Sequence, residues 1–238
     1  ILCEKPLATT IKDAKAMVAA CEAAGVGLGT AFPCRYIEPV IAARNLILTG
    51  GHGPVYAAAC TNNGQFPGGW FADEALAGGG ATMDHTVHVA DLLRWITGKE
   101  FTQVYCENGN LLHPRIKTDD LGCLHLEMEG GIRVSHVASW SRPKSFPTWG
   151  DVTLELVTAK GVIRVDGFNQ NVNLYSDKAM KAQWVYWGSN PDLGLIADFV
   201  EAVDERRPPA ITGIDGLRAV EVTVAACKSA RTGRVVAI

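Results

Sequence analysis

At 238 residues, with 47% hydrophobic and 20% charged residues and a net charge of −3, the chain has the make-up of a globular protein long enough to bury a sizeable core as one large or two small domains. The near-balanced charge leaves no basic footprint for nucleic acid or an anionic membrane, and no apolar run approaches the roughly 18 residues of a membrane span, so small molecules and copies of itself are the expected partners. Seven cysteines without a CxxC pair argue against a zinc knuckle or a disulfide framework, and an odd count without a signal peptide fits a reducing, cytoplasmic setting.

Residues 1 to 3 are an apolar stub that runs into Glu4-Lys5-Pro6, as a buried parallel strand does when it ends at a functional edge. Thr10 reads as an N-cap with Asp13 in the first helical turn, and Ile11, Ala14, Met17, Val18, Cys21 and Ala24 recur at helical spacing up to a stop at Gly25. Residues 26 to 32 return to strand character, so 1–32 form one strand, helix, strand unit of a parallel sheet. Pro39 suits the first turn of a second helix closed by Gly50-Gly51. Beyond Gly53-Pro54 the pattern becomes β-rich, with strands predicted at 55 to 60, 102 to 106, 122 to 128, 132 to 140, 152 to 157, 162 to 165 and 172 to 175. One helix, 81 to 96, interrupts the series, and two more, 192 to 205 and 214 to 231, flank Pro208-Pro209. The order predicts the end of an α/β domain followed by a mostly antiparallel open sheet packed by helices. Alternation along 132 to 140 and 152 to 157 places apolar or aromatic side chains on both sheet faces, which predicts pairing with a second copy.

Two clusters could carry chemistry. Lys5 lies at a strand end, where open parallel sheets bind ligands, although a solvated lysine at a helix approach reads as well from the tripeptide alone. Asp84, His88 and Asp91 fall at i, i+4 and i+7 of the predicted helix and share one stripe; a helix cap, a core histidine and an exposed carboxylate are the alternative. Gly78-Gly79-Gly80 just ahead lets backbone approach a ligand closely, or makes a flexible turn. His85 lies about 100° around the helix from Asp84, which spoils a shared metal site, so no metal is expected. Gly25-x-Gly27-x-Gly29 follows a helix and enters a strand, the reverse of a dinucleotide fingerprint.

Four segments taken in order resemble the Gfo/Idh/MocA oxidoreductases across almost the whole chain. They are Cys3-Glu4-Lys5-Pro6-Leu7-Ala8, Arg35 after the next strand, the run from Gly78 through Asp84 and His88 to Asp91, and the tail from Gly213 to Gly233. The resemblance implies that 1–32 are the last part of a Rossmann NAD(P)-binding domain. It implies that 33–238 form the α+β substrate-binding and oligomerisation domain, with the 192–231 helices packing back toward the Rossmann part. It further implies a dehydrogenase using NAD or NADP on a sugar, inositol or related polyol, with Lys5, Asp84 and His88 catalytic. Glu4, Lys5 and Pro6 would lie against the cofactor, and Lys5, Arg35, Asp84 and His88 against the substrate. Members of the family commonly pair through the sheet, here residues 102 to 187, so a homodimer or homotetramer is implied. Thr86 and His85 stand where many members carry smaller or apolar residues, which bears on pocket shape.

The family's first strand, glycine loop and helix, which hold the cofactor pyrophosphate, have no counterpart ahead of Lys5. The chain by itself is therefore expected to be inactive and to bind NAD poorly, the activity belonging to a longer form. The alternative is a non-catalytic binding or assembly module that has lost the cofactor domain.

Overall fold

The computed structural model describes residues 1–169, 171–178, 180–186 and 188–238, so positions 170, 179 and 187 of the expected interface sheet lie outside the described residues. Chain order runs β1 (Leu2–Cys3), α1 (Ile11–Ala23), β2 (Gly29–Thr30), α2 (Glu38–Leu48), β3 (Val55–Gly64), α3 (Glu74–Ala77), α4 (Ala81–Thr97) and β4 (Phe101–Gly109). It continues through β5 (Leu121–Met128), β6 (Ile132–Ser139), β7 (Gly150–Thr158), β8 (Gly161–Asp166), β9 (Asn171–Ser176), β10 (Lys181–Tyr186), α5 (Pro191–Asp204), α6 (Gly213–Thr232) and β11 (Val236–Ala237).

Helix α1 starts where expected, because the Thr10 side chain accepts a hydrogen bond from the Asp13 amide. Strands β1 and β2 pair in parallel on either side of it, although only Gly29–Thr30 of the predicted 26 to 32 strand joins the ladder. A seven-stranded sheet follows in the order β11-β4-β5-β6-β3-β7-β8. It is antiparallel except where β3 lies parallel to β6, with Cys60 opposite His136. The β9–β10 hairpin forms a separate two-stranded sheet.

One face of the large sheet carries Leu124, Leu126, Val134, Leu154 and Leu156, which bury against α2, α4 and α6 to form the main core. Burial of such side chains contributes about 1.5–3 kcal/mol each. A second core joins α1 to α6 through Leu7, Ala14, Val18, Leu28, Leu217 and Val220. The opposite sheet face is mixed, so the expectation of apolar side chains on both faces holds only in part. On β6 the outward positions are Arg133, Ser135 and Val137, and on β7 Thr153, Glu155 and Val157, because the strict two-residue period sends the large aliphatic side chains inward.

Candidate active site

Lys5 stands at the carboxyl end of β1, next to the cis Lys5–Pro6 peptide. Its ammonium reaches α4, where Nζ lies 2.5 Å from Asp84 Oδ1 and 3.3 Å from the Asp84 carbonyl oxygen. Trp140, at the end of β6, donates its indole N–H to Asp84 Oδ2 at 3.1 Å, so both carboxylate oxygens are engaged. Burial works against the Asp84 charge, but Lys5, His85 and these hydrogen bonds outweigh it and hold the carboxyl at about 2.

One turn along α4, His88 places Nδ1 3.9 Å from the Cys34 sulfur and packs edge-on against Phe32 at 5.9 Å between ring centres. Burial, reinforced by the Lys5 charge, drives its imidazole well below the usual histidine range, so it is neutral near pH 7. Burial pushes the Cys34 thiol up to about 12, so it too is neutral.

Lys5 and His88 open onto one cavity of about 320 Å³, together with Glu4, Asn62, Trp149 and Asp192. Asp84, buried at 6% exposure, does not line it; the carboxylate stands behind Lys5 rather than at the cavity surface where a substrate-binding residue was expected. Glu4 lines the wall and accepts from the Lys5 amide at 3.1 Å, whereas Pro6 lies outside the lining. A larger cleft of about 770 Å³ between α1, α5 and the start of α6 holds none of these groups.

Arg35 is not brought to the cavity. It is 5% exposed and grips Asp91 by two hydrogen bonds, Nε to Oδ2 at 2.8 Å and a terminal nitrogen to Oδ1 at 2.5 Å. The same terminal nitrogen lies 3.0 Å from Asp215, which also meets Arg94 at 3.2 Å, and Arg94 in turn holds Glu100 at 2.7 Å. The planar guanidinium matches the carboxylate fork, so this third member of the polar stripe and its arginine are spent on joining α4 to the start of α6.

Several residues at the site escaped the sequence reading. Helix α4 has no side-chain N-cap of its own; Asp119 supplies one across the fold, accepting from the Gly80 amide at 3.0 Å, the Thr82 amide at 2.8 Å and the Thr82 hydroxyl at 2.6 Å. The glycine run serves the chain's own packing: a Cβ at Gly80 would strike the Asp119 backbone, and Gly78, at φ +71°, abuts Thr9. Asn62 was missed because β3 runs four residues past its predicted end. Its Nδ2 donates to the Asp151 carbonyl at 2.7 Å, leaving Oδ1 without a partner at the cavity wall. Among the described residues, no group of three or more histidine, cysteine, aspartate or glutamate side chains is arranged to hold a metal ion. Among them, too, no helix is long and apolar enough to cross a membrane.

The open edge beside Glu4 and Lys5 has the chemistry to take a nicotinamide, because the cavity lies past the end of β1 and its wall combines the Glu4 carboxylate with apolar surface from Ala31, Pro33 and Phe168. The N-terminus of α1 does not suit a pyrophosphate, since Thr10 and Asp13 already occupy it.

Comparison with known proteins places this geometry in context. The GFO/IDH/MocA C-terminal domain matches residues 40–164. The chain is 27% identical to 1,5-anhydro-D-fructose reductase of Ensifer adhaerens, over 98% of the chain and 71% of that protein. It is 25% identical to myo-inositol 2-dehydrogenase of Thermotoga maritima, over 96% of the chain and 70% of that protein. Among solved structures, GenD2 from gentamicin A biosynthesis in complex with NAD superposes with a TM-score of 0.90 at 25% identity, covering 100% of the chain and 71% of GenD2. With the family's domain matched over more than half of its length and the whole chain following the fold, the protein belongs to the Gfo/Idh/MocA oxidoreductase family.

Proposed function

We propose that this chain carries the substrate site of an NAD(P)-linked dehydrogenase or reductase acting on a sugar, inositol or related polyol. The observation that carries the reading is that Lys5, held from behind by Asp84, and a neutral His88 face one cavity. The names of the relatives, a sugar reductase and an inositol dehydrogenase, support the substrate class, and the NAD complex of GenD2 supports the cofactor.

Oxidising a secondary alcohol requires its O–H proton to leave as hydride departs from the same carbon. The nicotinamide, when bound beside Glu4 and Lys5, supplies the hydride acceptor. His88 takes the hydroxyl proton at Nε2, since Nδ1 faces the Cys34 sulfur. Its depressed basicity is compensated by Lys5, whose ammonium lowers the energy of the developing alkoxide and so makes the proton easier to remove. Asp84 fixes the lysine head with a short hydrogen bond and is itself fixed by Trp140, so the cation is aimed before substrate arrives. The orphaned Asn62 Oδ1 and the carboxylates of Glu4 and Asp192 offer acceptors for the other hydroxyls of a polyol. We further propose that the outer sheet face pairs two copies into a homodimer or a tetramer of dimers.

Assaying the cofactor-competent enzyme on inositols, aldoses and open-chain polyols with NAD and NADP tests the reading, with Lys5→Met as control. The expected result is turnover by the parent and a loss of about 100-fold or more in kcat/KM for the variant. An unaffected Lys5→Met enzyme would remove the alkoxide-stabilising role.

A further inference from the structure

Trp149 has no part in the chemistry above, yet its placement is unusual. It is 52% exposed, an awkward state for so large an apolar side chain, and it lines the cavity that holds Lys5 and His88. Its other surroundings are closely packed. The indole stacks on the His85 imidazole with ring centres 5.5 Å apart and planes 11° from parallel. His85 is 1% exposed and its Nε2 lies 3.4 Å from Asp84 Oδ2, so its enclosed ring serves as a flat backing. Gly64, at the end of β3, makes the close approach possible: a Cβ there would come within 2.7 Å of the indole and 2.8 Å of the imidazole. The Trp149 carbonyl accepts from the Gln65 amide at 3.0 Å, which ties the residue's main chain to the strand.

From these observations we infer that Trp149 is a specificity-determining platform on which the C–H face of a ring-shaped polyol lies, so that the site favours cyclitols and pyranoses over open-chain polyols. This rests on the polyol reading of the same site. A six-membered ring with mostly equatorial hydroxyls presents a flat apolar patch of C–H groups to one side and its hydroxyls around the rim. A stiff indole matches the patch and gains from removing both surfaces from water, while Lys5, His88 and Asn62 take rim hydroxyls. An open-chain polyol has no such face and must lose several torsional freedoms to make one. Because one face of the indole is already covered by His85, the platform is preorganised.

The test compares Trp149→Ala and Trp149→Phe in the active enzyme, using myo-inositol, scyllo-inositol and D-glucose as cyclic probes and D-sorbitol as the open-chain probe, read as substrate or as competitive inhibitor. For the most efficiently used cyclic probe, Trp149→Ala should raise KM roughly tenfold or more while kcat stays within about threefold, because ground-state and transition-state contacts are lost together. The KM or inhibition constant of sorbitol should move less than about twofold, and Trp149→Phe should retain most of the cyclic preference. Should the alanine variant fail to fold, Trp149→Leu, which keeps bulk but no flat face, must show the same split. Equal effects on cyclic and open-chain probes, or no effect on either, would overturn the platform while leaving the polyol reading intact. Absence of turnover of every cyclic probe by the parent would overturn both.

Discussion

Helix α4 carries two polar regions two turns apart that differ in what they leave available. At its first turns, Asp84 answers one lysine and one indole, and His88 packs against the Cys34 thiol and the Phe32 ring; Lys5 and His88 still face a cavity. Farther along, Asp91 is fully enclosed and gripped through both oxygens by Arg35, whose remaining nitrogen donates to the Ala210 carbonyl while one of the two on Asp91 also meets Asp215. Charge and spacing are alike in the two regions; saturation is not. A polar group whose bonding capacity is spent inside the fold holds helices together, and one left with capacity toward a cavity can act on a ligand.

The sharpest way to break this comparison is to unsaturate the second region. Arg35→Ala strands Asp91 in the interior, while Asp215 keeps Arg94 and Thr212, and removing one partner of a buried pair costs about 3–5 kcal/mol. Urea denaturation should show a loss of that size, and a change below about 1 kcal/mol would mean that the network is not a structural clamp.

A pH series probes both regions together. Burial lowers His85 to about 4, His88 well below the usual range and His136 to about 3, so below about 6.5 the unfolded chain takes up protons that the folded one refuses. Their stabilisation is complete above that pH and is lost as the pH falls toward the folded values. Asp91 works in the opposite sense, because burial raises it to about 6 and the folded state binds its proton first. Asp119 and Asp166, also raised by burial, offset the histidines in the same sense as Asp91, and stability is predicted to fall, on balance, as the pH drops from about 6.5 toward 5. Asp84, held at about 2, adds its share only below the ordinary carboxylate range. Denaturation midpoints that stay flat between pH 7 and 5 would contradict the buried, neutral histidines.

A smaller effect is expected from Asp119→Ala, which removes three hydrogen bonds at the start of α4 and should cost about 1–3 kcal/mol. Its activity loss should follow from disturbing Asp84 and His88 rather than from lost chemistry, so kcat should recover in Asp119→Asn, which keeps an acceptor. Smallest of all, Val137→Glu on the outer sheet face should leave the fold and the cavity untouched while shifting the protein to monomers in light scattering. A parent that is monomeric at micromolar concentration would contradict the pairing proposal.

The legible parts of the molecule were those written in local pattern. Thr10 capping α1, the apolar period of α4 and the turn at Gly130-Gly131 each act within a few residues, so the elements could be read in order. Lys5 meeting Asp84, 79 positions apart, was legible only through the resemblance of the motifs. What stayed hidden depends on register and on long-range partners. Asp119 caps a helix that begins 38 residues earlier, Asn62 reaches the wall because β3 continues past its apolar Val55–Cys60 part into Thr61-Asn62-Asn63, and Trp149 becomes a pocket wall only because Gly64 gives it room. Arg35 illustrates the converse: its position in the chain matched a substrate-site segment, and the tertiary fold turned it inward onto Asp91.

The most direct measurement is steady-state oxidation of a cyclic polyol by the parent enzyme and by His88→Asn, paired with their thermal midpoints. With His88 as the proton acceptor, the parent should turn over, the variant's kcat should fall by about 100-fold or more, and the midpoint should shift by only a few degrees. A variant within about threefold of the parent in kcat would contradict the assignment of His88, and with it the claim that the unsaturated end of α4 is the active site.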